Sequence, residues 1–284
     1  MRVAILGCGY VGLALGRRLS DAEVFGVRRS RSGLDAVEAA GLVPVQADVT
    51  EPASLTAVPA VDTVVFTVSA GSRDPAAARA TYVEGQRRAL AAFGERSSSP
   101  DRYVYTSSTG VYGDRGGDWV DEETALDAAT DRQRILAKAE QLGLEGARSA
   151  GMAGTVARLG GLYGPDRYRL ERYLEGPVPP GYLNLCHRSD AAGAIANLLE
   201  LTATSGEVVN VVDDEPVDRW TFADWLADAC GEPEPPKQSA DERTDGGRPS
   251  KRCSNDRLRS LGYRFDFPTF REGYRAAVAS YRTH

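Results

Sequence analysis

The stretch Arg2-Val-Ala-Ile-Leu-Gly7-Cys-Gly9-Tyr-Val-Gly12 decides how this chain is read. Its apolar run, Val3 to Leu6, reads as a buried strand that breaks at Gly7 into a helix with Val11, Leu13, Ala14, Leu15 and Leu19 on its apolar face. The three glycines have separate tasks at this spacing. Gly7 permits a tight turn, Gly9 lets the backbone come close to a pyrophosphate, and Gly12 brings the helix against the strand. Unpaired N–H groups at the helix start, around Tyr10 and Val11, then face the anion. A glycine fingerprint lying between a strand and a helix is far more telling than the same glycines alone.

Outward from this stretch, strands and helices alternate. A second strand, Glu23 to Val27, ends in Arg28-Arg29-Ser30, where an NAD-preferring site usually carries an acid for the ribose 2′-OH. Two guanidinium groups there suit a 2′-phosphate instead, so the expected coenzyme is NADP, with NAD as the alternative. Helix Leu34 to Ala40 leads to strand Val43 to Ala47, which ends at Asp48 and Val49. After a helical turn at Pro52 to Val58, strand Asp62 to Val68 runs into Ser69-Ala70-Gly71, small enough for a dinucleotide to lie over. A long helix spans Pro75 to Phe93, strand Arg102 to Thr106 ends at Ser107, and strand Thr155 to Leu159 follows later. This alternation implies an α/β fold, a doubly wound parallel sheet of Rossmann type with a small C-terminal substrate lobe. Ligands of such sheets bind beyond the carboxyl ends of the strands. Gly7, Arg28, Asp48, Val68, Ser69, Ser107 and Leu159 all fall at such ends and are expected on one rim.

Farther along, Tyr168 to Leu174 reads as a helix, Gly176 to Gly181 as a stiff loop, and Leu183 to Cys186 as one strand. Ser189 to Leu201 and Trp220 to Cys230 read as helices flanking strand Val208 to Val212. Glu232 to Ser250 reads as a long loop, followed by helical pieces at Arg257 to Leu261 and Phe270 to Tyr281. The expected division places the dinucleotide-binding unit at 1–164 and 183–212, and the substrate lobe at 165–182 and 213–284.

Composition narrows the function. The 284 residues carry a net charge of −6, which does not suggest a nucleic-acid surface. No apolar run approaches membrane-spanning length, so no membrane partner is expected. Cys8, Cys186, Cys230 and Cys253 have neither metal spacing nor the density of a disulfide scaffold, which fits the reducing cytoplasm. With only His187 and His284 present, no histidine-based metal site is expected.

Several stretches together resemble the extended and atypical short-chain dehydrogenase/reductase superfamily, the NAD-dependent epimerases and dehydratases. They are Gly7 to Gly12, Tyr105-Thr-Ser-Ser-Thr-Gly-Val-Tyr-Gly113, Asp121-Glu122, Ala157-Arg-Leu-Gly-Gly-Leu-Tyr-Gly-Pro165, Leu185-Cys-His-Arg-Ser-Asp190 and Val209 to Pro216. The resemblance implies that Ser108 is the family's catalytic serine, hydrogen-bonded to a substrate carbonyl or hydroxyl. A strand-end cap is the plainer reading for Ser107 and Ser108. The family's other catalytic pair is a tyrosine that moves a proton and a lysine four residues later. Anchored on Glu140, those places hold Arg132 and Leu136, and Tyr-x-x-x-Lys occurs nowhere in the sequence.

Three candidates could stand in. Tyr112 and Tyr163 could each act as acid if Arg132 or Arg158 lowered the phenol pKa, although aromatic side chains more commonly pack. His187 could act as a base, against a plainer role as a hydrogen-bonded structural histidine. Arg167, Arg169, Arg172, Lys251 and Arg252 could meet a phosphate or carboxylate on the substrate. The resemblance also implies a homodimer through the segments Pro75 to Phe93 and Ala125 to Leu142. The expected activity is NADP-dependent oxidoreduction or epimerase-like chemistry on a small polar or nucleotide-linked molecule. The alternatives are a non-catalytic NADP-binding sensor or scaffold, and an epimerase or lyase without net redox.

Overall fold

The computed structural model describes residues 1–72, 74–126, 128–239 and 249–283. Its strands are β1 (Arg2–Leu6), β2 (Glu23–Arg28), β3 (Val43–Gln46), β4 (Thr63–Phe66), β5 (Arg102–Ser108), β6 (Trp119–Val120), β7 (Ala153–Leu159), β8 (Gly161–Tyr163), β9 (Tyr182–Leu183), β10 (Leu185–His187), β11 (Val208–Val211), β12 (Val217–Asp218) and β13 (Arg252–Cys253). Seven of them form one sheet in the order β11-β7-β5-β4-β1-β2-β3, and every neighbouring pair is parallel. This is a Rossmann-type doubly wound sheet. The chain steps outward from β1 in one direction and then in the other, which opens a crevice between β1 and β4.

The helices are α1 (Tyr10–Arg18), α2 (Arg31–Ala39), α3 (Pro75–Ala78), α4 (Gln86–Gly94), α5 (Asp131–Gln141), α6 (Ala147–Ser149), α7 (Glu171–Leu174), α8 (Arg188–Glu200), α9 (Arg219–Cys230), α10 (Asp256–Ser260) and α11 (Phe270–Tyr281). Successive side chains of β1 point to opposite faces, and both faces are covered. Val3 and Ile5 pack with Leu15 of α1 and Ile195 and Leu198 of α8. Ala4 and Leu6 pack with Leu90 and Phe93 of α4 and Ala147 of α6. A separate cluster joins Tyr163, Leu185, Phe222, Leu226, Phe270 and Tyr274 under α9 and α11.

Several expectations need correcting. The helix expected over Tyr168 to Leu174 is reduced to α7, because Asp166 and Arg169 adopt positive φ values of 66° and 56° that no right-handed helix accepts. The single strand expected at Leu183 to Cys186 is split at Asn184. Its side-chain amide donates to Lys251 O (2.9 Å) and accepts from Cys253 N (2.6 Å), so β9 and β10 pair with different partners. The 75–94 helix contains a π-helical segment at Arg79–Gly85, which local sequence does not signal. In the Glu232 to Ser250 loop, residues 240–248 lie outside the described residues.

Candidate functional site

Register sets the rim. Leu6 pairs with Val27 and with Phe66, Phe66 pairs with Tyr105, and Ser108 pairs with Leu159. Gly7, Arg28, Thr67, Ser107, Ser108 and Gly160 therefore emerge side by side, at the mouth of a cleft of about 790 Å³. Of the expected dinucleotide contacts, Gly7, Gly9, Tyr10, Val11, Arg28, Arg29, Asp48, Val49, Val68, Ser69, Ser107 and Leu159 line this cleft. Gly12 sits behind it, where a Cβ would stand 2.9 Å from Ile5 Cγ2, so its task is helix–strand contact.

The turn itself is over-determined. Gly7 has a φ of 77°, and a Cβ there would lie 2.5 Å from Val68 Cα. The N–H groups of Gly7 and Cys8 both donate to Val27 O at 3.1 Å, and Thr67 Oγ1 is 3.0 Å from the carbonyls of both Leu6 and Gly7. Helix α1 starts at Gly9 without a side-chain cap, which leaves its first N–H groups free for an anion. Arg28 reaches across this turn: a Cβ on Gly9 would be 2.6 Å from its guanidinium, and one on Gly33 2.5 Å from its Nε. Arg29 lies 3.9 Å from Asp48 Oδ2, and the other Asp48 oxygen accepts from Thr50 N and Thr50 Oγ1 at 2.9 and 2.8 Å. The uncapped helix start, the close approach at Gly9 and the two arginines fit a dinucleotide diphosphate carrying a ribose phosphate.

The two serines differ. Ser107 Oγ donates to buried Glu140 at 2.7 Å, so its proton is committed. Glu140 also forms a two-pronged pair with Arg158, at 2.9 and 2.8 Å, which ties β5, β7 and α5 together. Ser108 Oγ accepts from Gly110 N at 3.1 Å, which makes it a cap for the following turn. That bond uses a lone pair and leaves the hydroxyl proton free for a ligand in the cleft. Arg132 and Leu136 both line the cleft beside it. A Cβ on Gly110 would lie 3.3 Å from Ser108 Oγ and 3.7 Å from Leu136 Cδ1.

The stand-in acids do not reach this place. Tyr112 is fully buried; its hydroxyl donates to Asn210 Oδ1 (2.9 Å) and accepts from Arg158 (2.8 Å). Burial raises its pKa to about 12, outweighing the pull of Arg158, so the arginine does not make it an acid. Tyr163 is stacked on Tyr274 in the C-terminal cluster, where burial and Asp213 push its pKa up. His187 is buried, and its Nδ1 accepts from Ser189 N at 3.3 Å as the cap of α8. Burial and the Arg188 charge lower its pKa to about 4, which keeps it neutral. Among the five basic residues offered to the substrate, Arg167 and Arg169 line the cleft. Buried Lys251 donates to Gly113 O, Arg252 lies over Trp119 and Tyr182, and Arg172 lies over Tyr173.

Sequence reasoning missed Tyr82, which the π segment turns into the cleft and whose hydroxyl accepts from Ala70 N at 3.3 Å. It also missed Thr67 and the Gly160–Leu162 wall.

The profile of the NAD dependent epimerase/dehydratase family matches residues 3–211. The chain belongs to that family. Protein YeeZ of Escherichia coli K12 is 28% identical to it, over 94% of this chain and 96% of YeeZ. A family member of solved structure from Methylobacillus flagellatus, provisionally described as an NAD-dependent epimerase/dehydratase, is 31% identical with a TM-score of 0.78. That match covers 99% and 98% of the two chains. DesIV of Streptomyces venezuelae, a dTDP-glucose 4,6-dehydratase solved with NAD and TYD bound, shares the fold at 21% identity and a TM-score of 0.82. The match covers 100% of this chain and 98% of DesIV. No described helix is long and apolar enough to cross a membrane.

Proposed function

We propose that the protein is an atypical NADP-dependent oxidoreductase or epimerase-like enzyme acting on a small polar or nucleotide-linked molecule without the family's tyrosine–lysine pair. In this reading the coenzyme lies on the unit 1–164 and 183–212, and the lobe 165–182 and 213–284 covers the substrate. The observation that carries the coenzyme choice is the pair Arg28 and Arg29 at the end of β2, the place where an NAD-preferring site usually carries its acid; Asp48, from the end of β3, stands beside Arg29. The residues that would hold the coenzyme are Gly7, Gly9, Tyr10 and Val11 at the diphosphate, Arg28 and Arg29 at the ribose phosphate, and Val68, Ser69 and Leu159 along its length. Bound there, it supplies or takes up hydride at the nicotinamide.

Ser108 orients the reacting oxygen with its free hydroxyl proton. Arg132 cannot do the work of the tyrosine it replaces, because a guanidinium does not release its proton in a protein. Leu136 likewise brings no ammonium to the ribose. Proton movement then falls to Ser108, water or the substrate itself.

Replacing Arg28 and Arg29 by alanine is expected to weaken NADPH by about a hundredfold, the loss of two charge-assisted contacts, and NADH by less than about threefold. Calorimetric titration of both coenzymes checks this, and equal losses would remove the 2′-phosphate role. The lack of the family's tyrosine–lysine pair, with Arg132 and Leu136 in those places, favours a second reading, an NADP-binding sensor. NADPH binding without turnover on a panel of carbonyl and sugar-nucleotide compounds would select it.

A further inference from the structure

The chain is acidic overall, yet among the described residues the cleft is lined by five arginines and a single carboxylate, Asp48. Asp48 stands beside Arg29, at the end assigned above to the ribose phosphate. Arg167 is laid on the ring of Tyr10, 4.3 Å from its centroid, at the start of α1 and hence beside the diphosphate position. Arg132 answers to neither place. It occupies the first turn of α5, one turn before Leu136 on the same helix face, which puts it at the wall beside Ser108.

A cation in a first helical turn opposes the positive end of the helix dipole, and an acidic neighbour would normally offset it. The acid in that turn, Asp131, is engaged by Arg134 at 2.7 Å. Among the described residues Arg132 has no carboxylate in ion-pair range and no hydrogen-bond acceptor. Arg169, on the same cleft from the loop before α7, is likewise without a carboxylate partner. A guanidinium that cannot give up its proton, next to the serine that orients the reacting oxygen, offers only charge and forked donors.

We infer that the reacting end of the cleft takes an anionic substrate, a carboxylate or phosphate borne close to the reacting carbon, gripped by Arg132 with Arg169 supporting it. The inference rests on the proposed function in assigning the other cleft arginines and in placing the reacting oxygen at Ser108, and it names the substrate class for that site.

The test uses the full chain saturated with NADPH, at ionic strength held constant with KCl. Inorganic phosphate, malonate and neutral malonamide are titrated in turn, followed by coenzyme fluorescence and calorimetry. Phosphate or malonate is expected to bind and malonamide not to. Arg132→Ala is expected to weaken the anion by about tenfold or more while NADPH affinity stays within about threefold. Arg132→Lys, which keeps the charge and loses the fork, is expected to fall between. Preference for phosphate or for malonate distinguishes the two anion classes. Undiminished binding in Arg132→Ala, or no anion binding at all, overturns the inference. If NADPH itself does not bind, the coenzyme reading fails alone. The same titrations on the free protein, comparing Arg132→Ala with Arg28→Ala, then decide the anion site: a loss confined to Arg132→Ala upholds it, and a loss confined to Arg28→Ala overturns it.

Discussion

Two tyrosines of similar promise in the sequence have opposite energetics in the fold. Tyr112 spends its hydroxyl on Asn210 and Arg158, so Tyr112→Phe leaves both partners short inside the protein. Thermal or urea unfolding should show a loss of about 1–3 kcal/mol, with NADPH affinity unchanged. The hydroxyl of Tyr163 is buried without a partner, so Tyr163→Phe removes a desolvated group and strands nothing. It should be neutral or stabilising by up to about 1 kcal/mol. Equal losses in the two variants would mean that Tyr163 has a bonding partner after all. The motif Tyr105 to Gly113 made Tyr112 visible as a residue of interest. It could not show that the hydroxyl is consumed, because Asn210 lies 98 positions away in the chain.

At the scale of elements, α8 shows how a titratable group can serve as a cap. His187 accepts from Ser189 N only while Nδ1 is unprotonated, and burial with the Arg188 charge holds its pKa near 4. In the unfolded chain the same imidazole titrates near 6.5. Between those values the unfolded state binds the proton and the folded state does not, so stability falls as pH drops through 6.5 toward 4. Wild type is expected to lose about 2–3 kcal/mol across that window relative to His187→Asn, which caps without titrating. Asp190 and Asp213 work in the opposite sense, since burial raises both and favours the folded state in acid. The measurement is therefore the difference between the two proteins' unfolding curves at each pH, and parallel curves would rule the effect out. Helix 75–94 carries a second lesson at this scale. Its alanine-rich sequence announces a helix, while the π segment that carries Tyr82 ends at Gly85, where a Cβ would stand 2.8 Å from Val49 Cγ2, a neighbour that local sequence does not reveal.

Across the whole molecule, an acidic chain lines one cleft with five described arginines, so an anionic ligand bound there would add to the stability of the fold. A ligand that binds only the folded state at a hundred times its dissociation constant adds about 2.7 kcal/mol. In a chain of this size that corresponds to a rise of about 5 °C in Tm. NADPH should produce this rise in wild type and little of it in the Arg28→Ala/Arg29→Ala protein, by differential scanning fluorimetry. No shift with either nicotinamide coenzyme would count against the cleft as their site.

What the sequence by itself determined is local and periodic. Apolar runs of strand length, glycines where a Cβ cannot fit and arginines at the end of β2 each act within a few residues, so the parallel sheet and the residues that gather along its carboxyl rim were legible in the chain itself. Only the tertiary structure decided which polar groups are free. Ser107 and Ser108 are adjacent, yet one proton is bound to Glu140 and the other is available. Arg158 and Arg132 are both arginines, but one is buried against a carboxylate and the other stands at a helix start with no carboxylate partner among the described residues. The physical reason is that a side chain's charge, proton and exposure are set by neighbours that arrive from distant parts of the chain, and their arrival is a property of the packed molecule.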